Sequence, residues 1–599
     1  MSINDKYDSF THDNGYPYVK WIVICLLSIH GGLLVYQSKM DSPTLNEPGH
    51  LAAGISYLEH GRFELYRVNP PLIRLLAAAP VYSYAKTDWG GMFEGVGARP
   101  IYNVSQDFIK VNDKQIFDLV TKARWACIPL SLLGAVVVFM WSSKLYGTRA
   151  GIWALILWCF SPTILGYGHL ITCDMGGTAL GVLASYFFWR WLMSYSWRAA
   201  ILAGVFLGVA LLAKTTLLIF IPLWPLMWLI WNYSGNQYET GQRLGKRSFC
   251  QMIVIFCLGI YVINIGYAFE GSLEKLSSLN FVSKSLTTEN KGANRFANSW
   301  IGNLPVPLPK NYLLGIDLQK KDLEGIPYPS FLRNEFQKQG WWYYYLYGFG
   351  VKTPLGILLL LAMTVYWHLK YCRNSKLWRD EMILLIPAVS IFVLVSSHTG
   401  FSEHYRYILP VMPFLFIWIS SVTLWKMTVP ITIARIAICG AVLSSMWVYP
   451  HSLSYFNEIV GGPENGHNHM INSSIDWGQD LKYLKKWVDA HPENTPLSIA
   501  YYSDVNPKSA GIEFKLPPMR TIGFNSEAIP NALKPGWYLI SVNFMKGYPW
   551  RLADSEGVEM KSRQYAFSYF AKLEPVDRIG YSIYVYHITE NDIQRLKTE

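Results

Sequence analysis

The chain has 599 residues, of which 51% are hydrophobic and 16% charged, against about 25% charged in an average soluble protein. This composition excludes a disordered chain, a coiled coil and a collagen. The net charge of +11, in a chain with long apolar runs, fits basic loops facing the cytoplasm better than nucleic-acid binding. The expected fold class is an all-α polytopic membrane protein carrying substantial polar segments.

A crossing helix needs about 20 mostly apolar residues. The first such run, 19–37, follows a tail (1–18) with Asp5, Lys6, Asp8 and Asp13 and no small-residue cleavage pattern, so it reads as an uncleaved span. Further runs lie near 124–143, 150–168, 176–196, 199–213, 215–231, 251–268, 353–369, 382–398, 407–426 and 430–449, which gives about eleven spans. The stretch 199–231 is broken only by Lys214. As one helix it would measure about 50 Å, too long for a hydrocarbon core of about 30 Å, so two short spans turning at Lys214 fit better.

Basic residues set the orientation. Lys144 and Arg149, Arg198, the group Arg243, Lys246 and Arg247, and the group Lys370, Arg373, Lys376 and Arg379 all follow even-numbered spans. By the positive-inside rule they face the cytoplasm. The three long polar segments, 38–123, 269–352 and 450–599, then share the external face. The last reads as a small α/β domain, with a helix over Asp480–His491 and strands at 497–502, 536–542 and 581–588. None of the eight cysteines follows Cys439, and there is no CxxC and no zinc spacing.

Intramembrane charges are sparse, which favours chemistry at the external surface over transport. His30 is the main polar group within a span and reads as a helix-packing residue. The densest constellation follows span one: Asp41, Asn46, Glu47, Pro48, Gly49 and His50. Glu47 and His50 share a face of a helix starting near Pro48. A carboxylate with an imidazole can supply a general base and its orienting partner. Ordinary helix capping, with Asn46 as N-cap, explains the same spacing.

Arg62, Arg67 and Arg74 flank the turn Asn69-Pro70-Pro71, where they could clamp a phosphate or snorkel to headgroups. The run Leu72–Ala79 is too short to span and suits a helix lying on the bilayer surface. Asp174 follows His169 in a short external loop, either capping a helix or facing Glu47 as a second acid. Lys214 stands at an outer turn, and Glu403, His404, Tyr405, Arg406 and Tyr407 open span ten at the same level. Acids, a histidine and fixed cations thus gather at helix ends beside lipid. A lipid-linked phosphosugar needs such a place: positive charge where its phosphate leaves, room for an oxocarbenium-like state and a base for the acceptor hydroxyl.

At these residues a resemblance emerges. Asn46-Glu47-Pro48-Gly49-His50 with Asn69-Pro70-Pro71-Leu72, then Ser161-Pro162 with Asp174, then Ala213-Lys214, then Tyr405-Arg406-Tyr407-Ile408-Leu409-Pro410 resemble the lipid-carrier-dependent glycosyltransferases of the GT-C class. These are the family 39-like enzymes, which include protein O-mannosyltransferases and lipid A aminoarabinose transferases. Ser474 to Asp480 resembles the external C-terminal portion of bacterial members. The resemblance covers roughly 19–450 and implies a GT-C transmembrane domain over 19–449, with the α/β domain at 450–599. It also implies a polyprenyl-phosphate sugar donor, a lipid, glycan or protein acceptor, and an inverting displacement on the external face of a bacterial inner (plasma) membrane.

The resemblance implies a first-loop acid as base, yet this chain has Asn46-Glu47 where the family usually has Asp-Glu, and Asn cannot take up a proton effectively. Glu47 is the expected base, with Asp174 as a second acid positioning the acceptor or a metal and His50 orienting Glu47 or the donor. Lys214 and Arg406 carry over as phosphate ligands, with Arg67, Arg74 and Tyr405 as further ones. Asp476 and Asp480 are expected to be structural. Glu47 and Asp174 offer oxygens to Mg²⁺ or Mn²⁺, although no ligand set demands a cofactor. A non-catalytic relative that binds lipid-linked sugar, and a lipid flippase or transporter, are the competing readings.

Overall fold

The computed structural model describes residues 17–89, 100–233, 245–288, 293–324, 329–371, 377–397, 402–425, 428–520, 530 and 532–598. Arg243, Arg373 and Lys376 lie outside the described residues.

Among the described residues, seven helices are long and apolar enough to cross a membrane, or eight if the pair Tyr344–Lys352 and Leu355–Lys370, bent by 114°, forms one span. This is fewer than the apolar runs suggest. Thr148–Cys159 and Trp197–Leu211 are apolar but only 12 and 15 residues long. The expected pair of spans around Lys214 is resolved as Trp197–Leu211, a 3₁₀ turn Thr215–Ile219 and the helix Phe220–Tyr233. The chain is a multi-pass, mostly helical membrane protein.

Burial sorts the helices. The N-terminal span, Pro17–Met40, has only 11% of its apolar window buried, so it lies at the periphery with its side chains turned to lipid. The segment Tyr405–Leu424 is 72% buried and forms the centre. Around it pack Cys173–Ser194, Trp378–Ser397 and Ile116–Tyr146. His30 ties the first span to this bundle, its ring nitrogens 2.9 Å from Ser131 Oγ and 3.0 Å from the Cys159 carbonyl.

The three long polar segments meet one another. Arg67 Nε donates to Asn311 Oδ1 at 2.7 Å, joining the first to the second. The Ser42 and Leu45 amides donate to the Gln479 and Trp477 carbonyls at 2.8 and 2.9 Å, joining the first to the third. Segments that touch in this way lie on one side of the bundle. Lys352 is buried at the join, its Nζ donating to the carbonyls of Leu453, at 3.1 Å, and Ser474.

The C-terminal segment forms the expected helix, at Leu481–Ala490, and strands at Leu497–Ala500 (β1), Gly536–Ser541 (β2) and Ile583–Ile588 (β4). A fourth strand of the same sheet, Asp577–Ile579 (β3), was not apparent in the sequence, nor was the separate hairpin of Arg551–Ala553 with Glu559–Lys561. The sheet runs β1-β2-β4-β3, with β1 and β2 parallel and the other pairs antiparallel. Asp476 and Asp480 are both fully buried: Asp476 accepts from Ser541 Oγ and the Gly478 amide, and Asp480 accepts from Ser582 Oγ at 2.6 Å. They knit the loop 472–480 to the sheet.

Candidate functional site

A cavity of about 540 Å³ opens where the polar segments meet the helix ends. Its wall holds Asn46 and His50 from the first segment, Asp174 from the start of Cys173–Ser194, Lys214 from the turn after Trp197–Leu211, and Arg406 from the 3₁₀ turn Tyr405–Val411. Lys214 Nζ donates to Asp174 Oδ1 at 2.6 Å, and Arg406 Nε lies 3.3 Å from Asp174 Oδ2. All three are at most 5% exposed, which puts two cations and one carboxylate in a region where charge interactions are strong.

Local sequence explains this approach. Asp174 is followed by Met175 and two glycines. A Cβ at Gly177 would lie 2.8 Å from Lys214 Cβ, and one at Gly176 only 2.1 Å from Ile73 Cδ1. The paired glycines therefore let the Lys214 turn and the Leu72–Ala78 helix close on the Asp174 helix. Gly177→Ala should cost about 1–3 kcal/mol by overpacking, read as a lower unfolding temperature. Gly32→Ala, where nothing lies within 4 Å, should not lower it.

One side of the cavity is apolar. Leu218 and Ile219 from the 3₁₀ turn and Leu394 and Val395 from Trp378–Ser397 line it. On that same helix Val389 and Val393 are each 58% exposed, an apolar surface of the kind that a membrane helix turns to lipid.

His50 presents its ring to the cavity, and its Nδ1 has no hydrogen-bond partner among the described residues. Burial, with Arg74 nearby, pushes its pKa down to about 3, so the imidazole is neutral. Asn46 lines the wall as well. Its side chain makes no capping hydrogen bond, so the helix Glu47–His60 is not capped by Asn46.

Four of the expected residues lie off the wall. Glu47, fully buried, turns away from the cavity and meets Arg124 in a two-pronged pair at 2.9 and 2.5 Å. It also accepts from Thr44 N, Thr44 Oγ1 and the Ile171 amide. Burial alone would raise this carboxyl, but the charge and hydrogen bonds of Arg124 and the Thr44 amide hold it below its ordinary range. Such a group ties the first segment to the helix Ile116–Tyr146 and has no free oxygen edge to offer an acceptor. Arg74 spends its guanidinium on Tyr57 Oη and the carbonyls of Asn69 and Pro70, and Arg67 reaches Asn311. The turn Asn69-Pro70-Pro71 is thus braced by Arg74 from within rather than opened as a phosphate clamp. Tyr405 is fully buried and points inward, whereas Tyr407, two residues on, lines the cavity.

Sequence reasoning missed several wall residues: Tyr66, Tyr102, Tyr345, and Gln319 and Asp322 from the helix Lys310–Glu324. It also missed Arg124. The available signal was a lone arginine opening an apolar span, which must find an anion if buried. Glu47 and Asp174, considered together as ligands for a divalent ion, are instead held by different cations. Among the described residues no three His, Cys, Asp or Glu side chains gather as a metal site.

Residues 115–260 match the family model described as dolichyl-phosphate-mannose-protein mannosyltransferase. This chain resembles the family 39-like glycosyltransferases of the GT-C class. The matched stretch holds Arg124, Asp174 and Lys214, while the first-loop residues and Arg406 lie outside it. No curated protein matches the chain by sequence. Among solved structures it is similar to ArnT from Cupriavidus metallidurans bound to undecaprenyl phosphate, at 13% identity over 94% of this chain and 97% of that one, with a TM-score of 0.43. It is also similar to the apo oligosaccharyltransferase of Archaeoglobus fulgidus, at 11% identity over 92% of this chain and 75% of that one, with a TM-score of 0.43.

Proposed function

We propose that the chain is an integral-membrane glycosyltransferase that moves a sugar from a polyprenyl-phosphate carrier to a hydroxyl acceptor on the extracytoplasmic face, by an inverting displacement. The observation that carries this reading is the Asp174–Lys214–Arg406 cluster in a cavity with one polar and one apolar wall. Two cations against one carboxylate leave an excess positive charge, which suits the single negative charge of a prenyl phosphodiester. The phosphate takes up Lys214 and the guanidinium of Arg406, and the prenyl chain leaves along Leu394 and Val395.

As the glycosidic bond breaks, negative charge grows on the departing phosphate, where the two cations stabilise it. Drawing Lys214 and Arg406 toward the phosphate releases the Asp174 carboxylate to take the acceptor's proton. His50, a neutral imidazole on the wall, orients the sugar or the acceptor. Asn46 contributes an amide for orientation, and Glu47 keeps the loop that carries Asn46 and His50 in place.

Reconstitution in liposomes with radiolabelled prenyl-phosphate sugars and a panel of acceptors tests this. Transfer is expected, with Arg406→Ala and Lys214→Met each raising the donor KM at least tenfold while the acceptor KM stays constant. Unchanged donor use in both variants would remove the cavity from the reaction. A second reading has one observation behind it: the usual first-loop acid is Asn46 here and its neighbour Glu47 is committed to Arg124. Under that reading the chain binds the lipid-linked sugar without transferring it, and the same liposomes show binding with no labelled product.

A further inference from the structure

The wall of the cavity does not end with the membrane helices. Arg406 Nη1 donates to Ser473 Oγ at 2.5 Å, and Ser473 belongs to the C-terminal segment. The same hydroxyl lies 2.8 Å from His404 Nδ1, and His404 also lines the cavity. A serine oxygen that accepts from a guanidinium still has its own hydrogen to give, and His404 Nδ1 is where it points. That assignment leaves the proton of His404 on Nε2, which faces Glu403 Oε2 at 3.6 Å. Beneath Arg406 lies Trp477, its ring centroid 4.1 Å from the guanidinium carbon, a distance at which a cation gains from the aromatic face.

Ser473 is itself held rigidly. Its carbonyl accepts from Tyr167 Oη at 2.7 Å, and its amide donates to Asn472 Oδ1 at 2.6 Å. Asn472 sits at φ +59° and receives a further anchor from Asn543, whose Oδ1 takes the Asn472 amide hydrogen at 2.7 Å. The loop thus connects the sheet of the C-terminal segment to a single guanidinium in the cavity, through groups that are almost wholly buried.

We infer that Ser473, with Trp477 beneath the guanidinium, is a positioning residue that presets Arg406 for the donor phosphate, so that the C-terminal segment completes the donor site. An arginine whose stem could swing would lose conformational freedom on binding. One fixed by a hydroxyl and an aromatic face has already lost it, which raises affinity without a new contact to the ligand. The inference rests on the donor reading above and adds to it the segment that fixes the cation.

The test compares two ligands on the full-length chain in nanodiscs: a polyprenyl monophosphate and the matching uncharged polyprenol. Ser473→Ala should weaken monophosphate binding about tenfold, the size of one lost hydrogen bond to a charged group, and leave polyprenol binding unchanged. Ser473→Thr, which keeps the hydroxyl, should restore it. Equal monophosphate binding by Ser473→Ala and wild type, or a parallel loss of both ligands, overturns the inference. If Ser473→Ala does not fold, Ser473→Cys, a weak acceptor of similar volume, carries the same comparison with the same outcomes. Failure of the wild type to bind the monophosphate is a different result: it overturns the donor reading, and the positioning role with it.

Discussion

Asp174→Asn is expected to bind prenyl phosphate at least as tightly as the wild type and to lose transfer by about a hundredfold or more, as removal of a general base does. Asp174 pairs with both Lys214, at 2.6 Å, and Arg406, at 3.3 Å. An arriving phosphate must compete with it for both. Removing the negative charge ends that competition and leaves two buried cations unpaired, which costs the empty protein stability. Prenyl phosphate should therefore raise the unfolding temperature of the variant by more than it raises that of the wild type. Full transfer by Asp174→Asn would exclude Asp174 as the proton acceptor, and weaker phosphate binding would show that it does not compete for the cations.

Glu47→Gln should behave in the opposite way. Its carboxylate and Arg124 are both fully buried and form a two-pronged pair. Breaking such a pair from one side costs about 3–5 kcal/mol, because the remaining charge stays buried. The variant is expected to unfold at a markedly lower temperature, while its folded fraction retains turnover within a few-fold. The pH dependence follows from the same geometry. The Glu47 carboxyl is held below its ordinary value of 4.5, so its contribution is present above that pH and is lost as pH falls through the folded value. Wild type should lose this increment on acidification and Glu47→Gln should not. Undiminished stability with a hundredfold drop in turnover would instead make Glu47 the base.

These two carboxylates show what a sequence can and cannot convey. Glu47 and His50, three residues apart, do lie on one helix, but their spacing says nothing about Arg124, which is 77 positions away. Only the packing of Ile116–Tyr146 against the first segment reveals that Glu47 already has its partner. Asp174, Lys214 and Arg406 were legible because each stands where an apolar run stops, and charged groups at that depth must find one another or water. Tyr405 and Tyr407 were not separable, since a tight 3₁₀ turn decides which ring faces the cavity.

The strands at 497–500, 536–541 and 583–588 were readable as runs of β-branched and aromatic residues between Pro and Gly turns. Three-residue Asp577–Ile579 was too short to register. Nor did hydropathy suggest that Ser473 and Trp477, far along the chain from the membrane helices, would end against Arg406. Contacts of that kind depend on tertiary packing, and no local pattern encodes them.

The most direct measurement is an experimental structure of the chain in lipid nanodiscs with a polyprenyl phosphate. The account predicts the phosphate within hydrogen-bond distance of both Lys214 Nζ and the Arg406 guanidinium, with the first isoprene units against Leu394 and Val395. A lipid phosphate bound elsewhere, with the Lys214–Asp174–Arg406 cluster closed on itself, would contradict it.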